Sequence, residues 1–385
     1  MKSVSPINRG DIVHARLKAL PRFAFFSLLS LGAWLSFPLA AKSKPPVEPT
    51  ALTVQGGGEI LERANALYGQ GEFAKAILLY QKAEARGADP GTIAFNIGNS
   101  RFRLSQLPEA AAAFRKAVRL TDGQYLPAQF NLAAVLFRLE QYGECIAAYR
   151  RALKQDPENL SAWLYLADAY SRSGDGVGAL QALEKARDLD PEDISIIYQM
   201  AEVHANLKEY ERAITLVREA YARKPSETDF LFYLGDLQRS RGDLEAAAAA
   251  YREGLAVKEK DVDAMYKLAD VLAQDKKTFL AMEWLQKSLA IKPDFTDAWI
   301  FLGNLAFDAK WWDRSENAYL EALKRKNREG LEGLRNLAYE YHQRGDDFRA
   351  AAILKKTAEI KPDDKELATE IKQYEDLAAE SRRKP

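Results

Sequence analysis

Residues 157–191 read PENLSAWLYLADAYSRSGDGVGALQALEKARDLDP. The prolines that bracket this stretch start a period. Pro157, Pro191 and Pro225 lie 34 residues apart, Pro293 follows after 68 and Pro362 after another 69. Inside the stretch, Trp163, Leu166, Ala167 and Tyr170 stand at W-x2-L-A-x2-Y spacing. The spacing recurs further along, as Leu231, Leu234 and Gly235, and as Trp299, Leu302 and Gly303 with Ala306 in the tyrosine place. Self-similarity at one fixed period marks a repeat array. It overrides the two or three globular domains that 385 residues would otherwise predict.

The period and these residues resemble the tetratricopeptide repeat (TPR) family, whose pattern is W-x2-L-G-x2-Y…A-x3-F…P. Nine repeats fit, at 57–90, 91–124, 126–159, 160–193, 194–227, 228–261, 262–295, 296–329 and 331–364, with single insertions near Tyr125 and Gly330. The resemblance implies an all-α fold. It would be a right-handed superhelical solenoid of nine helical hairpins, each a helix A and a helix B, making slightly more than one superhelical turn.

Within a hairpin, close helix approach requires small side chains. The eighth position of each repeat reads Ala64, Gly98, Ala133, Ala167, Ala201, Gly235, Ala269, Gly303 and Ala338. The twentieth reads Ala76, Ala110, Cys145, Ala179, Ala213, Ala247, Ala281, Ser315 and Ala350. The seventh fills the core with Ile97, Leu132, Leu166, Met200, Leu234, Leu268, Leu302 and Leu337, and only Arg63 departs, in the end repeat. The glycines at 56–58 predict a frayed start to the first helix. After Asp364, Leu367, Ile371, Tyr374 and Leu377 share one helical face, so 365–385 reads as a capping helix and tail over the last open apolar surface.

The N-terminus differs from the rest. Five basic residues and one acid in 1–22 precede an uncharged run, Phe23–Ala41. That order reads as a secretory signal cut after Ala41, or as an uncleaved membrane anchor through 23–39. Either reading places the remainder outside the cytoplasm, in the periplasm or envelope. Residues 42–56 carry three prolines and read as a linker.

Function classes narrow from here. Lys+Arg and Asp+Glu both total 55, so no basic excess points to nucleic acid. Linker, repeats and cap account for the chain beyond residue 41, leaving no span for a catalytic domain. No nucleophile elbow, P-loop or zinc spacing is present. His204 and His342 stand on different repeats and read as helix-surface residues. Cys145 reads as a packed thiol. No enzyme activity, cofactor or metal is expected.

The family resemblance implies a concave groove lined by positions 2, 5, 9 and 12 of helix A, which fall on one helical stripe. Position 9 carries Asp168, Glu202, Asp236 and Asp270 in four successive repeats, and position 2 adds Asp229, Asp263 and Asp297. Position 5 sets Phe95, Phe130, Leu164, Tyr198, Phe232 and Tyr266 beside them. Acids beside rings suit an extended basic segment of a protein or peptide partner. Asn96 and Asn131, at position 6, resemble two rungs of the asparagine ladder of O-GlcNAc transferase repeats. Arg103, Arg138 and Arg172 share position 13 and make the early end basic. Two alternatives stay open. One is a structural spacer in a secretion or polysaccharide-export assembly. The other is a glycan binder using Trp311 and Trp312, the exposed tryptophan pair expected in a turn. The oligomeric state is not legible.

Overall fold

The computed structural model describes residues 56–383. The predicted signal or anchor at 1–41 and nearly all of the linker lie outside the described residues. Within them the chain forms nineteen helices and no strand. No helix there is long and apolar enough to cross a membrane.

The chain divides into two units, one ending at Pro157 and the other starting at Glu158. The first holds three hairpins: α1 (Gly57–Gly69) with α2 (Phe73–Glu84), α3 (Pro90–Arg103) with α4 (Leu107–Leu120), and α5 (Leu126–Arg138) with α6 (Tyr142–Gln155). The second holds six: α7 (Leu160–Ser173) with α8 (Gly176–Leu189), α9 (Ile194–Asn206) with α10 (Tyr210–Arg223), α11 (Asp229–Arg241) with α12 (Leu244–Val257), α13 (Val262–Gln274) with α14 (Thr278–Ile291), α15 (Thr296–Asp308) with α16 (Trp312–Lys324), and α17 (Arg328–Gln343) with α18 (Asp347–Ile360). A last helix, α19 (Lys365–Arg383), packs on α18. Leu367 of α19 is fully buried, with Ile371 and Tyr374 against the same apolar cluster.

One turn closes every hairpin. The residue at position 15 is left-handed in all nine repeats, as Gly71, Gly174, Gly242 and Gly345, but also as Ser105, Glu140, Lys208, Lys276 and Lys310. The position-16 amide donates to the position-11 carbonyl, as in Glu209 N to His204 O at 2.8 Å and Asp243 N to Gln238 O at 2.9 Å. The position-15 amide donates to position 12, so the turn is a Schellman motif that satisfies the last carbonyls of helix A. Helix starts are capped by side chains where the sequence offers an Asp or Asn. Asp175, Asp243 and Asp261 accept from Gly178, Ala246 and Ala264.

The small registers lie where helices meet. Every alanine at positions 8 and 20 is at most 1% exposed, and so is Cys145 at position 20 of the third repeat. Where position 8 is glycine, an aromatic ring from helix B fills the space. A Cβ on Gly235 would lie 2.8 Å from the Tyr251 ring, and one on Gly303 would lie 2.6 Å from Tyr319. The first helix begins inside the glycine run rather than fraying there. Gly57 is buried, and a Cβ on it would lie 2.8 Å from the carbonyl of Arg86, so only glycine lets the helix start dock on the end of α2.

Candidate functional site

Position 24 on helix B decides what position 9 on helix A does. Where position 24 is a tyrosine, its hydroxyl reaches the position-9 side chain of its own repeat in three cases. Tyr80 donates to Asn65 at 2.8 Å, Tyr251 to Asp236 at 2.6 Å and Tyr319 to Asn304 at 2.7 Å. A buried phenol needs such an acceptor. These polar residues are therefore structural acceptors as well as members of the stripe.

A second relation joins position 9 to position 6 of the following repeat. Asn96 donates to Asn65 at 3.4 Å, Asn131 donates to Asn99 at 2.9 Å, and Lys267 pairs with Asp236 at 2.7 Å. Asn96 and Asn131 thus bond neighbouring asparagines, and Asn131 is buried.

Most of the expected acid row is matched by cations. Asp270 is buried and takes Arg239 at 2.7 Å, with Gln274 at 2.9 Å. Asp168 takes Arg172 from its own helix at 3.1 Å, yet burial outweighs the guanidinium and raises its carboxyl above the usual range. Asp229 pairs with Lys258 at 2.6 Å. Asp263 is exposed and has no ion pair within the described residues.

Glu202 stands apart. Position 6 of the next repeat is Tyr233 and position 12 of the previous one is Ser171, so neither neighbour supplies a cation. Val217 occupies position 24 beneath it. The side chain is only partly exposed and makes no hydrogen bond or ion pair within the described residues. Burial, with Asp168 adding like charge, pushes its carboxyl up to about 8. Tyr198, one turn earlier, and Tyr233 have ring centroids 5.1 Å apart. Both phenols are raised, first by burial and then by Glu202. The four carboxylates at position 9 therefore form three satisfied groups and one open, ring-lined acid.

The position-5 rings are largely engaged in packing. Phe95 meets Tyr125 edge-on at 4.9 Å and Phe114 at 5.8 Å, and Phe130 lies 6.4 Å from Tyr149. Tyr266 lies against Phe295 and Phe301. Phe232 is buried because Gly254 on α12 leaves room for it, a Cβ there lying 2.3 Å from the ring.

Two sequence expectations change. His204 is buried rather than on the surface, because Glu209 at the start of α10 lies 2.7 Å from its Nδ1. His342 meets Asp347 in the same way. Trp311 and Trp312 do not form an exposed pair. Trp311 is 38% exposed, while Trp312 packs between Phe307 and Tyr341 under Arg344. Among the described residues no three His, Cys, Asp or Glu side chains converge to hold a metal ion.

Comparison with known proteins bears on the fold. Residues 139–261 match the model of the cytochrome c-type biogenesis protein H TPR domain, and 61–125 and 237–294 match a tetratricopeptide repeat model. Similar structures include MamA from Desulfovibrio magneticus RS-1, at 17% identity over 46% of this chain and 99% of that one, with a TM-score of 0.41. A tetratricopeptide repeat protein from Parabacteroides merdae is 16% identical over 62% of this chain and 94% of its own, with a TM-score of 0.44. YrrB, described as a TPR protein with an unusual peptide-binding site, is 24% identical over 52% of this chain and 98% of its own, with a TM-score of 0.39. These scores add nothing to the assignment. The sequence has no significant match among curated proteins. The two models together reach over more than half of the chain, and the small residues at positions 8 and 20 are buried throughout. The chain belongs to the tetratricopeptide repeat family.

Proposed function

We propose that this protein is a non-enzymatic interaction scaffold at the cell envelope, and that its second unit grips an extended basic segment of a partner protein along the helix A stripe. The observation that carries this reading is Glu202. A partly buried carboxylate without a cation, beside Tyr198 and Tyr233, is an incomplete ion pair. A lysine or arginine from a partner completes it, and the rings add cation–π attraction. Asp263 offers a second acid further along the stripe. The basic segment and apolar run at 1–41 support export. The match to the cytochrome c-type biogenesis protein H domain supports a role in assembly at the envelope.

The test is fluorescence anisotropy of the full chain with a labelled Lys/Arg-rich peptide and its Gln-substituted control. Glu202→Gln is expected to weaken the basic peptide at least tenfold and leave the control unchanged. Binding should tighten as pH rises from about 5 to about 8, because the ammonium or guanidinium displaces the proton that the empty site holds. Equal affinity for both peptides, or a flat pH profile, would refute the assignment.

A further inference from the structure

Away from the stripe, the closing turns of two adjacent hairpins form a different surface. Phe279 at the start of α14 is 58% exposed, and Leu280 and Trp311 are each 38% exposed. The Phe279 and Trp311 rings meet edge-on at 6.3 Å and border a concavity of about 340 Å³. Lys276 and Lys277 line it, and Lys310 and Arg314 flank Trp311 in the sequence. Lys276 and Lys310 are the exposed left-handed residues of the two turns, and neither has an ion pair within the described residues. Arg314 lies 5.0 Å over the Trp311 ring. Lys277 is neutralised by Asp275 at 2.6 Å. Asp313, in the first turn of α16 beside Arg314, is an acid of the same edge. Asp308 at the end of α15 and Glu283, one turn after Phe279 on α14, are further acids near this edge, while the charged residues that line the concavity itself are Lys276 and Lys277.

The residues chosen here work against the fold. In the three preceding repeats position 16 is Asp175, Glu209 and Asp243, and two of these cap the next helix. In these two repeats it is Lys277 and Trp311, and neither helix has a side-chain cap. A lysine also opposes the positive end of a helix dipole. Position 15 is lysine in both turns, at φ 59° and 60°, a left-handed non-glycine as in Ser105, Glu140 and Lys208. An exposed ring and several locally unfavourable choices gathered on one edge mark a functional surface.

We propose that this turn edge is a second docking surface, taking a partner segment in which one large apolar side chain is flanked by carboxylates. The apolar side chain enters the concavity that Phe279, Leu280, Ala309 and Trp311 line, and its acidic neighbours pair with Lys276, Lys310 and Arg314. The open concavity offers one side chain an apolar seat on Phe279, Leu280, Ala309 and Trp311. The lysines that line it, of which Lys276 has no ion pair within the described residues, select acidic flanks. The surface thus prefers the opposite charge from the helix A stripe.

The probe is a fluorescein-labelled peptide with a central Phe flanked on each side by Glu-Asp, titrated against the full chain. Saturable binding is expected. Phe279→Ser and Lys310→Glu should each weaken it at least tenfold with unchanged circular dichroism, and Glu202→Gln should leave it unchanged. Replacing the central Phe by Ser should abolish binding. The proposal fails if a Lys-flanked version binds equally well. It also fails if no saturable binding appears. A third outcome overturns it in favour of a membrane surface: phosphatidylglycerol vesicles binding the chain with the same Phe279 and Lys310 dependence.

Discussion

The fifth and sixth repeats share a register and differ in what lies beneath it. In the sixth, Asp236 accepts from Tyr251 and pairs with Lys267, so the carboxylate is part of the fold. In the fifth, Glu202 stands over Val217 and faces Tyr233, so its charge has no counterpart. Two acids of one row therefore have opposite roles. An acid on a repeat surface identifies a binding residue only after its neighbours in the next helix and the next repeat have been counted.

Substitutions can break or sharpen this contrast. The largest effect is expected at Asp236. Its change to Ala leaves the buried Tyr251 hydroxyl without an acceptor, and should cost about 2–3 kcal/mol in urea unfolding followed by circular dichroism. A loss under 1 kcal/mol would put Asp236 back among the binding residues. Gly235→Ala places a methyl 2.8 Å from the Tyr251 ring and should cost about 1–3 kcal/mol. The fifth repeat carries Ala201 at that position with Val217 at position 24.

Glu202→Gln should act in the opposite direction, and only at high pH. The folded carboxyl titrates near 8 and the unfolded one near 4.5, so the folded state holds the extra proton across that window and stability falls as pH rises through it. The glutamine variant should gain on the order of 1–3 kcal/mol at pH 9 and nothing at pH 4. A gain that is the same at both pH values would disprove the linkage. The smallest effect is in the turns. Lys208→Gly should stabilise by about 0.5 kcal/mol, relieving φ 62°, and Gly242→Lys should cost about 1 kcal/mol at φ 92°. Equal shifts in the same direction would mean that the two turns are not equivalent.

The sequence made the hairpins legible because the constraint on them is local. A ring or a second helix at positions 8 and 20 excludes anything larger than a small side chain, so alanine, glycine, serine and cysteine recur. The stripe was legible only as letters. Its pairings run from position 9 to position 24 of the same repeat and to position 6 of the next, across helices that a single-helix reading does not join. Both relations are present in the sequence, as Asn65 with Tyr80, Asp236 with Tyr251, Asn304 with Tyr319 and Asn65 with Asn96. The cationic turn edge was hidden for a different reason. Lysine does not signal a left-handed backbone, and Lys276 and Lys310 become informative only when aligned with Gly174 and Gly242.

Cys145, the chain's single thiol, lies fully buried at the small register of the third hairpin, within the first unit. A thiol reagent can reach it only when that hairpin separates. The chain therefore carries an intrinsic reporter of opening in its N-terminal portion. Comparing its labelling rate with global unfolding would tell whether the early hairpins breathe while the later ones stay closed.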